Sequence, residues 1–240
     1  MLHEDVQTIL GPGLRRFCVE PMLENGDLGW RPAQAKSLDS DILRPADNPF
    51  DSEGGIRVVT GNVGRAIVKV SAVNKEQYSV TAPALVFASQ AEFTEAFNNG
   101  GLEQDFIAVL PYQGPGANGM PELHKLTPYL GVLQNRGFKV ALLTDGRMSG
   151  ASGKVLAAIQ VTPEALHGGT IGKIQNGDIL CIDSESGVLS VKSADDDPVS
   201  RSAMLTDMLN NHVGMGRELF SAFRAQVSTA ESGASIFSTE

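Results

Sequence analysis

The sequence predicts a mixed β/α fold: a barrel-like sheet with flanking helices, preceded by an N-terminal arm. Three observations predict it. From Ile56 onward, β-rich apolar runs recur at short intervals with glycine-rich turns between them. Two of these runs, "FIAVLPY" and "KVALLT", are apolar at consecutive positions, as strands covered on both faces are. Segments with helical spacing are few and far apart. Strands of this number and length favour a barrel-like sheet over a regular doubly wound fold.

Taken in order, residues 1–55 hold five prolines, six glycines and only short apolar patches, and end in "DNPFDSEGG", a linker-like stretch. A helix is expected near residues 3–10 and a further short piece around "VEPMLENG", but nothing there amounts to a core. The segment reads either as an ordered arm or as the tail of a domain whose larger part lies elsewhere. Residues 56–240 read as the main domain. "IRVVT" and "AIVKVSAV" are strands around the turn "GNVGR", and "ALVFAS" and "FIAVLPY" follow. Between the last two, "QAEFTEAFNNG" spaces Phe93, Ala96 and Phe97 as a helix and stops at Gly100. Pro121 is expected to open a helix with Leu123, Leu126, Leu130 and Leu133 on one side, broken or restarted at Pro128. "KVALLT", "VLAAIQV", "DILCID" and "VLSVKS" complete the strands, and a final helix is expected over residues 202–227.

The net charge of −9 and pI near 4.9 exclude broad binding to nucleic acid or to an anionic membrane, because no block of Lys and Arg stands against them. An anionic substrate would need a local positive cluster. The two cysteines, Cys18 and Cys181, form no CxxC or Cys/His pattern, so they cannot alone hold a zinc ion or an iron–sulfur cluster. One possible bridge in a chain of this length is weak evidence for secretion, and reduced, buried thiols are the expectation. No leader pattern opens "MLHEDVQTIL" and no apolar run reaches membrane-span length, so a cytoplasmic protein is expected.

Unusual chemistry gathers in two loops that each follow a buried strand: "YQGPGANGMPELHK" at 112–125 and "TDGRMSGASGK" at 144–154. Loops at that end of a sheet are where ligands commonly sit. The second is not a nucleotide-binding phosphate loop, because Met148 and Val155 stand where that motif needs Gly and Ser or Thr. Glu122 is read in the first turn of a helix, where the helix dipole favours a carboxylate by roughly 0.3–1 kcal/mol. It is equally a candidate ligand for a hard cation. His124 has no partner at ligand spacing. Ser149, between Met148 and Gly150, either serves turn geometry or is a nucleophile or base activated by Lys154 or by a metal. Arg147 and Lys154 are candidate contacts for a carboxylate or phosphate, or else solvated surface charges.

The motifs "GNVGRAIVKVSAV", "GPGANGMPELHK", "TDGRMSGASGKVLAAIQVTPEAL" and "GGTIGKIQNGDIL" resemble, in the same order, the C-terminal part of the dihydroxyacid and phosphogluconate dehydratase family. "NGMPELHK", "SGASGK" and "VGMGRELFSAFR" place the resemblance nearest the phosphogluconate branch of the Entner–Doudoroff pathway. The resemblance implies a swivelling β-barrel similar to that of aconitase, with residues 1–55 as remnant and linker of an N-terminal cluster-binding domain. It implies a hydro-lyase that removes water from 6-phospho-D-gluconate to give 2-dehydro-3-deoxy-6-phosphogluconate. The cofactors implied are an iron–sulfur cluster, whose ligands are not in this chain, and Mg²⁺ or a similar divalent cation.

Carried over residue by residue, Ser149 corresponds to the catalytic base and Glu122 to the carboxylate reaching the cation. Some sugar-acid relatives carry a threonine two residues after the serine. Ala151 stands there, so a second hydroxyl, for substrate binding, falls to Ser152. The partners implied are a small anionic sugar acid, the missing N-terminal domain and a second copy in a homodimer, and the chain alone is expected to be inactive. Two other readings stay open: a dihydroxyacid or sugar-acid dehydratase of the same family, and a non-catalytic binding module.

Overall fold

The computed structural model describes residues 5–148, 154–203, 213–214 and 216–237. Contacts divide the chain into two units, Met1–Gly54 and Gly55–Glu240.

In the first unit two short strands, β1 (Gln7–Thr8) and β2 (Gly11–Pro12), pair antiparallel, and β3 (Val19–Glu24) pairs with β4 (Asp27–Pro32) as a hairpin. Asn25 at φ 50 and Gly26 at φ 90 make its turn, which needs left-handed backbone at both central positions. The helix expected near residues 3–10 is not there in the described part, since Gln7 and Thr8 are paired as strand. "VEPMLENG" is likewise strand and turn, with Val19–Glu24 paired to Asp27–Pro32. Both cysteines are free, as expected, but neither is buried: Cys18 is exposed and Cys181 half-buried.

The second unit is a closed eight-stranded barrel with a few helices. Its strands are β5 (Ile56–Gly61), β6 (Gly64–Lys69), β7 (Ser79–Val86), β8 (Phe106–Leu110), β9 (Val140–Thr144), β10 (Ala157–Thr162), β11 (Ile179–Asp183) and β12 (Val188–Lys192). They close in the order β10-β6-β5-β12-β11-β7-β8-β9, with β9 paired back to β10. Pairs β7/β8, β8/β9, β9/β10 and β5/β12 are parallel, and the rest antiparallel. Every strand run expected from Ile56 onward is present.

Inward side chains from all eight strands fill the barrel, among them Val59, Val68, Val80, Ile107, Ala141, Ala158, Leu180 and Leu189. A second core lies outside β8 and β9, under α1 (Gln90–Asn98) and α3 (Leu126–Asn135). Phe106, Ala108 and Leu110 of β8 and Val140 and Leu142 of β9 enter that outer core, while Ile107, Val109, Ala141 and Leu143 point into the barrel. Both faces are therefore dry, which is why these two strands are apolar at consecutive positions. On β7 and β11 burial alternates along the strand, with barrel-facing residues buried and their neighbours exposed or half-buried.

Helix α1 begins at Ser89, whose Oγ accepts from the Glu92 N–H, and ends before Gly100 at φ 73. Helix α3 starts at Leu126 rather than at Pro121. Pro128 lies in its first turn, where an N–H has no intrahelical acceptor, so the proline neither breaks nor restarts it. A four-residue helix, α2 (Pro115–Asn118), stands in the first of the two loops. The expected long C-terminal helix is not continuous: among the described residues only α4 (Ser221–Gln226) is α-helical there. No helix among them is long and apolar enough to cross a membrane.

Candidate active site

Strands β8 and β9 are parallel neighbours, so the chain leaves their C-terminal ends side by side, at Pro111 and at Asp145. A buried carboxylate then fixes them together. Asp145 is fully buried at the end of β9. Its Oδ1 accepts from Gln113 N–H at 2.8 Å, and its Oδ2 accepts from Tyr112 N–H at 3.1 Å and Ala165 N–H at 2.9 Å. One side chain thus ties together three segments that are remote in sequence. Burial pushes its pKa up to about 6, Glu164's charge adds to the rise, and the three N–H donors oppose it. Thr144 assists: its hydroxyl donates to the Leu110 carbonyl at 2.7 Å and accepts from Gly146 N–H at 3.0 Å.

Glu164, also buried, completes the support. Its Oε1 accepts from Gly116 N–H at 3.2 Å and lies 3.1 Å from His167 Nδ1, while its Oε2 has no hydrogen-bond partner among the described residues. A Cβ on Gly114 would stand 1.8 Å from that Oε2. The glycines of "QGPGANG" therefore leave room for a carboxylate that presses against the loop backbone.

On this support Glu122 and Arg147 meet. They form a single parallel bridge between the loops, with Leu123 N–H donating to the Arg147 carbonyl at 3.2 Å. Arg147 Nη1 donates to Glu122 Oε2 at 2.9 Å, and its Nε donates to the Met120 carbonyl at 3.0 Å. The Glu122 side chain is 28% exposed and that of Arg147 49%, so the pair is open to solvent on one side. Glu122 is not in the first turn of a helix, as the sequence suggested: it precedes α3 and pairs in extended form with Arg147 of the other loop.

Of the candidate residues, the structure brings Glu122 and Arg147 together. Lys154 is exposed and tied through its carbonyl to Gln134 of α3 at 3.2 Å. Ser149 and Ser152 lie outside the described residues. His124 is exposed and lines a cavity of about 1220 Å³ together with Gln113, Lys125 and Arg217. Among the described residues no three His, Cys, Asp or Glu gather as a metal site. The residues present do not fit a cluster, and Glu122 offers a divalent cation one carboxylate.

A family model described as "Dihydroxy-acid/6-phosphogluconate dehydratase C-terminal" matches residues 41–234. The chain belongs to this family. Among its relatives, a phosphogluconate dehydratase of Pseudomonas aeruginosa is 55% identical over 99% of the chain, and one of Escherichia coli K12 is 50% identical over 98%. A dihydroxy-acid dehydratase of Nitratiruptor is 35% identical over 74% of the chain. The chain spans 39% of the length of the first two relatives and 32% of the third. Both loops of the site fall inside the family match, as do Asp145 and Glu164, which the sequence reading passed over. No local pattern signals them, because their N–H partners are 20 to 48 residues away in sequence.

Proposed function

We propose that this chain is the C-terminal part of a hydro-lyase that converts 6-phospho-D-gluconate to 2-dehydro-3-deoxy-6-phosphogluconate and water. The observation that carries the reading is 55% identity over 99% of the chain to a phosphogluconate dehydratase, at a site where two loops present a joined carboxylate and guanidinium. In such a dehydration the proton beside the substrate carboxylate is removed, the hydroxyl on the next carbon departs as water, and the resulting enol becomes the ketone. Ser149 is assigned the proton, with Ser152 and Lys154 as substrate contacts. Glu122 is assigned one oxygen of a divalent-cation site, and its partner Arg147 holds that carboxylate in place and meets the substrate's carboxylate.

A bound divalent cation would act as a Lewis acid on the departing hydroxyl. On this reading the iron–sulfur cluster is held by the N-terminal part of the complete enzyme, and no residues of this chain are assigned to it. The same reading makes residues 1–55 remnant and linker, the barrel a swivelling domain similar to that of aconitase, and the complete enzyme a cytoplasmic homodimer. Inactivity of the chain alone follows.

The test is the complete, cluster-loaded enzyme. It is expected to dehydrate 6-phosphogluconate, Ser149→Ala is expected to lower kcat by at least about a hundredfold, and the isolated chain is expected to have no turnover. Full turnover in the Ser149→Ala enzyme would remove Ser149 from the mechanism. A second reading, dehydration of a branched dihydroxy acid, is favoured by the Nitratiruptor relative. Relative kcat/KM on the two acids decides between them.

A further inference from the structure

Three neighbouring strands of the barrel, β7, β8 and β9, run parallel, so the chain leaves all three at the same end. The segment after each strand supplies one residue to the same place. Arg147 follows β9, Glu122 follows β8, and Gln90, the first residue of α1, follows β7. Gln90 Nε2 donates to the Glu122 carbonyl at 3.2 Å. A carbonyl can only accept, so the NH₂ of the amide must face it, and this fixes which way round the side chain sits. On the β9 side, Leu123 N–H donates to the Arg147 carbonyl at 3.2 Å and Arg147 Nη1 donates to the Glu122 carboxylate at 2.9 Å. Gln90 holds the same stretch of main chain from the β7 side.

The glutamine stands on a fixed element. Helix α1 opens with reciprocal caps: the Ser89 hydroxyl accepts from Glu92 N–H at 3.2 Å, and Glu92 Oε2 accepts from Ala88 N–H at 2.6 Å. Thr94 Oγ1 donates to the Gln90 carbonyl at 2.9 Å. Further along α1, Phe93 is fully buried, and Phe93 and Phe97 meet Tyr129 of α3 with ring centroids 6.4 and 4.7 Å apart. The other amide atom of Gln90, Oε1, is buried with no hydrogen-bond partner among the described residues. A buried, unpaired acceptor costs stability, and an apolar side chain of the same length would avoid that cost. The fold alone therefore does not account for an amide here, whereas its bond to Glu122 does.

We propose that Gln90 is a positioning residue for the divalent cation: by holding the Glu122 main chain against α1 it fixes where the carboxylate stands, and so favours Mg²⁺ over Ca²⁺. The inference rests on the reading of Glu122 as a cation ligand. The ion pair with Arg147 is partly exposed and screened, so it holds the carboxylate only weakly by itself. Mg²⁺ demands near-ideal octahedral geometry at about 2.0–2.1 Å, whereas Ca²⁺ accepts irregular geometry at about 2.3–2.6 Å. Loosening the main chain under Glu122 therefore penalises the smaller ion more.

The test uses the complete, cluster-loaded enzyme and measures the binding of Mg²⁺ and, separately, of Ca²⁺ by titration calorimetry without substrate. In Gln90→Met, which keeps the length of the side chain and removes its amide, the Mg²⁺ dissociation constant is expected to rise about 10-fold, as when other groups that orient a metal ligand are lost. The Ca²⁺ constant is expected to change less than about threefold. If Gln90→Met fails to fold, Gln90→Asn, whose amide is one methylene too short to reach the carbonyl, is read instead with the same expectation. An unchanged Mg²⁺ constant, or an equal loss for the two ions as a merely structural role would give, overturns the proposal. Glu122→Gln tells its failure from that of the reading beneath it. Wild-type Mg²⁺ binding in that variant overturns Glu122 as a ligand, whereas weakened binding there beside an indifferent Gln90→Met overturns only the role of Gln90.

Discussion

The two units of the chain differ in what holds them. Every buried apolar residue among those described lies beyond residue 54, whereas in the first unit Ile9 is 97% exposed, Leu38 88% and Trp30 64%. The barrel closes all its strand edges and fills its interior from every strand. The β3–β4 hairpin has a full backbone ladder but no core of its own, and an isolated hairpin is marginal in water. Hydrogen-bonded pairing therefore shapes a segment without making it stable, and burial decides which unit stands alone.

The largest expected effect breaks the chain at that boundary. Residues 55–240 produced alone are expected to unfold in one cooperative transition by circular dichroism, while residues 1–54 alone show none. Loss of the barrel's transition when residues 1–54 are removed would show that the first unit contributes to its core. A sharper form uses single residues. Phe106→Ala, at a fully buried position in the outer core, is expected to cost about 3–5 kcal/mol in urea unfolding. Trp30→Ala, in the exposed hairpin, is expected to fall within about 0.5 kcal/mol. Comparable costs at the two positions would mean that Trp30 is covered in solution.

The barrel was legible from residue types because its strands answer to burial pattern alone. Consecutive apolar residues in "FIAVL" and "VALLT" report two dry faces. The first unit misled because its short apolar patches have no period long enough to separate helix from strand, and the turn at Asn25–Gly26 decides the matter. Pro121 looked like a helix start, but the bridge to Arg147 is a contact across 25 residues that no local rule contains. Asp145 and Glu164 were illegible for the same reason. "TDG" is an ordinary turn signal, and only closure of the barrel brings the amides of Tyr112, Gln113 and Ala165 to one carboxylate.

That carboxylate gives the next prediction in size, and it separates the two units by pH. Asp145 is raised in the folded state from 3.8 to about 6, so the folded barrel holds its proton more tightly than the unfolded chain. The stability it contributes is fully present below about pH 4 and is lost as pH rises through about 6, a fall of about 3 kcal/mol at 1.36 kcal/mol per unit. Asp145→Asn is expected to flatten this slope between pH 4 and 6, while lowering stability at all pH values because an amide NH₂ would face an N–H donor. Urea midpoints across that range check both. An unchanged slope in the variant would assign the pH dependence to another group.

The smallest expected effect on stability falls at the residues with the strongest claim to chemistry. The Glu122–Arg147 pair is partly exposed, with side chains 28% and 49% accessible, so the attraction is screened and Glu122→Gln is expected to cost less than about 1 kcal/mol in thermal unfolding. The bridge itself is made by backbone, through Leu123 N–H and the Arg147 carbonyl, and survives the substitution. In the complete enzyme the same change removes a charged oxygen from the proposed cation site, so the Mg²⁺ concentration for half-maximal rate is expected to rise at least about tenfold. A group that supports the fold would show the reverse, a large stability cost with an unchanged cation requirement. Asp145 and Glu122, both within loops that leave the same end of the sheet, should thus divide cleanly: the buried acid into stability and its pH slope, the open one into metal dependence.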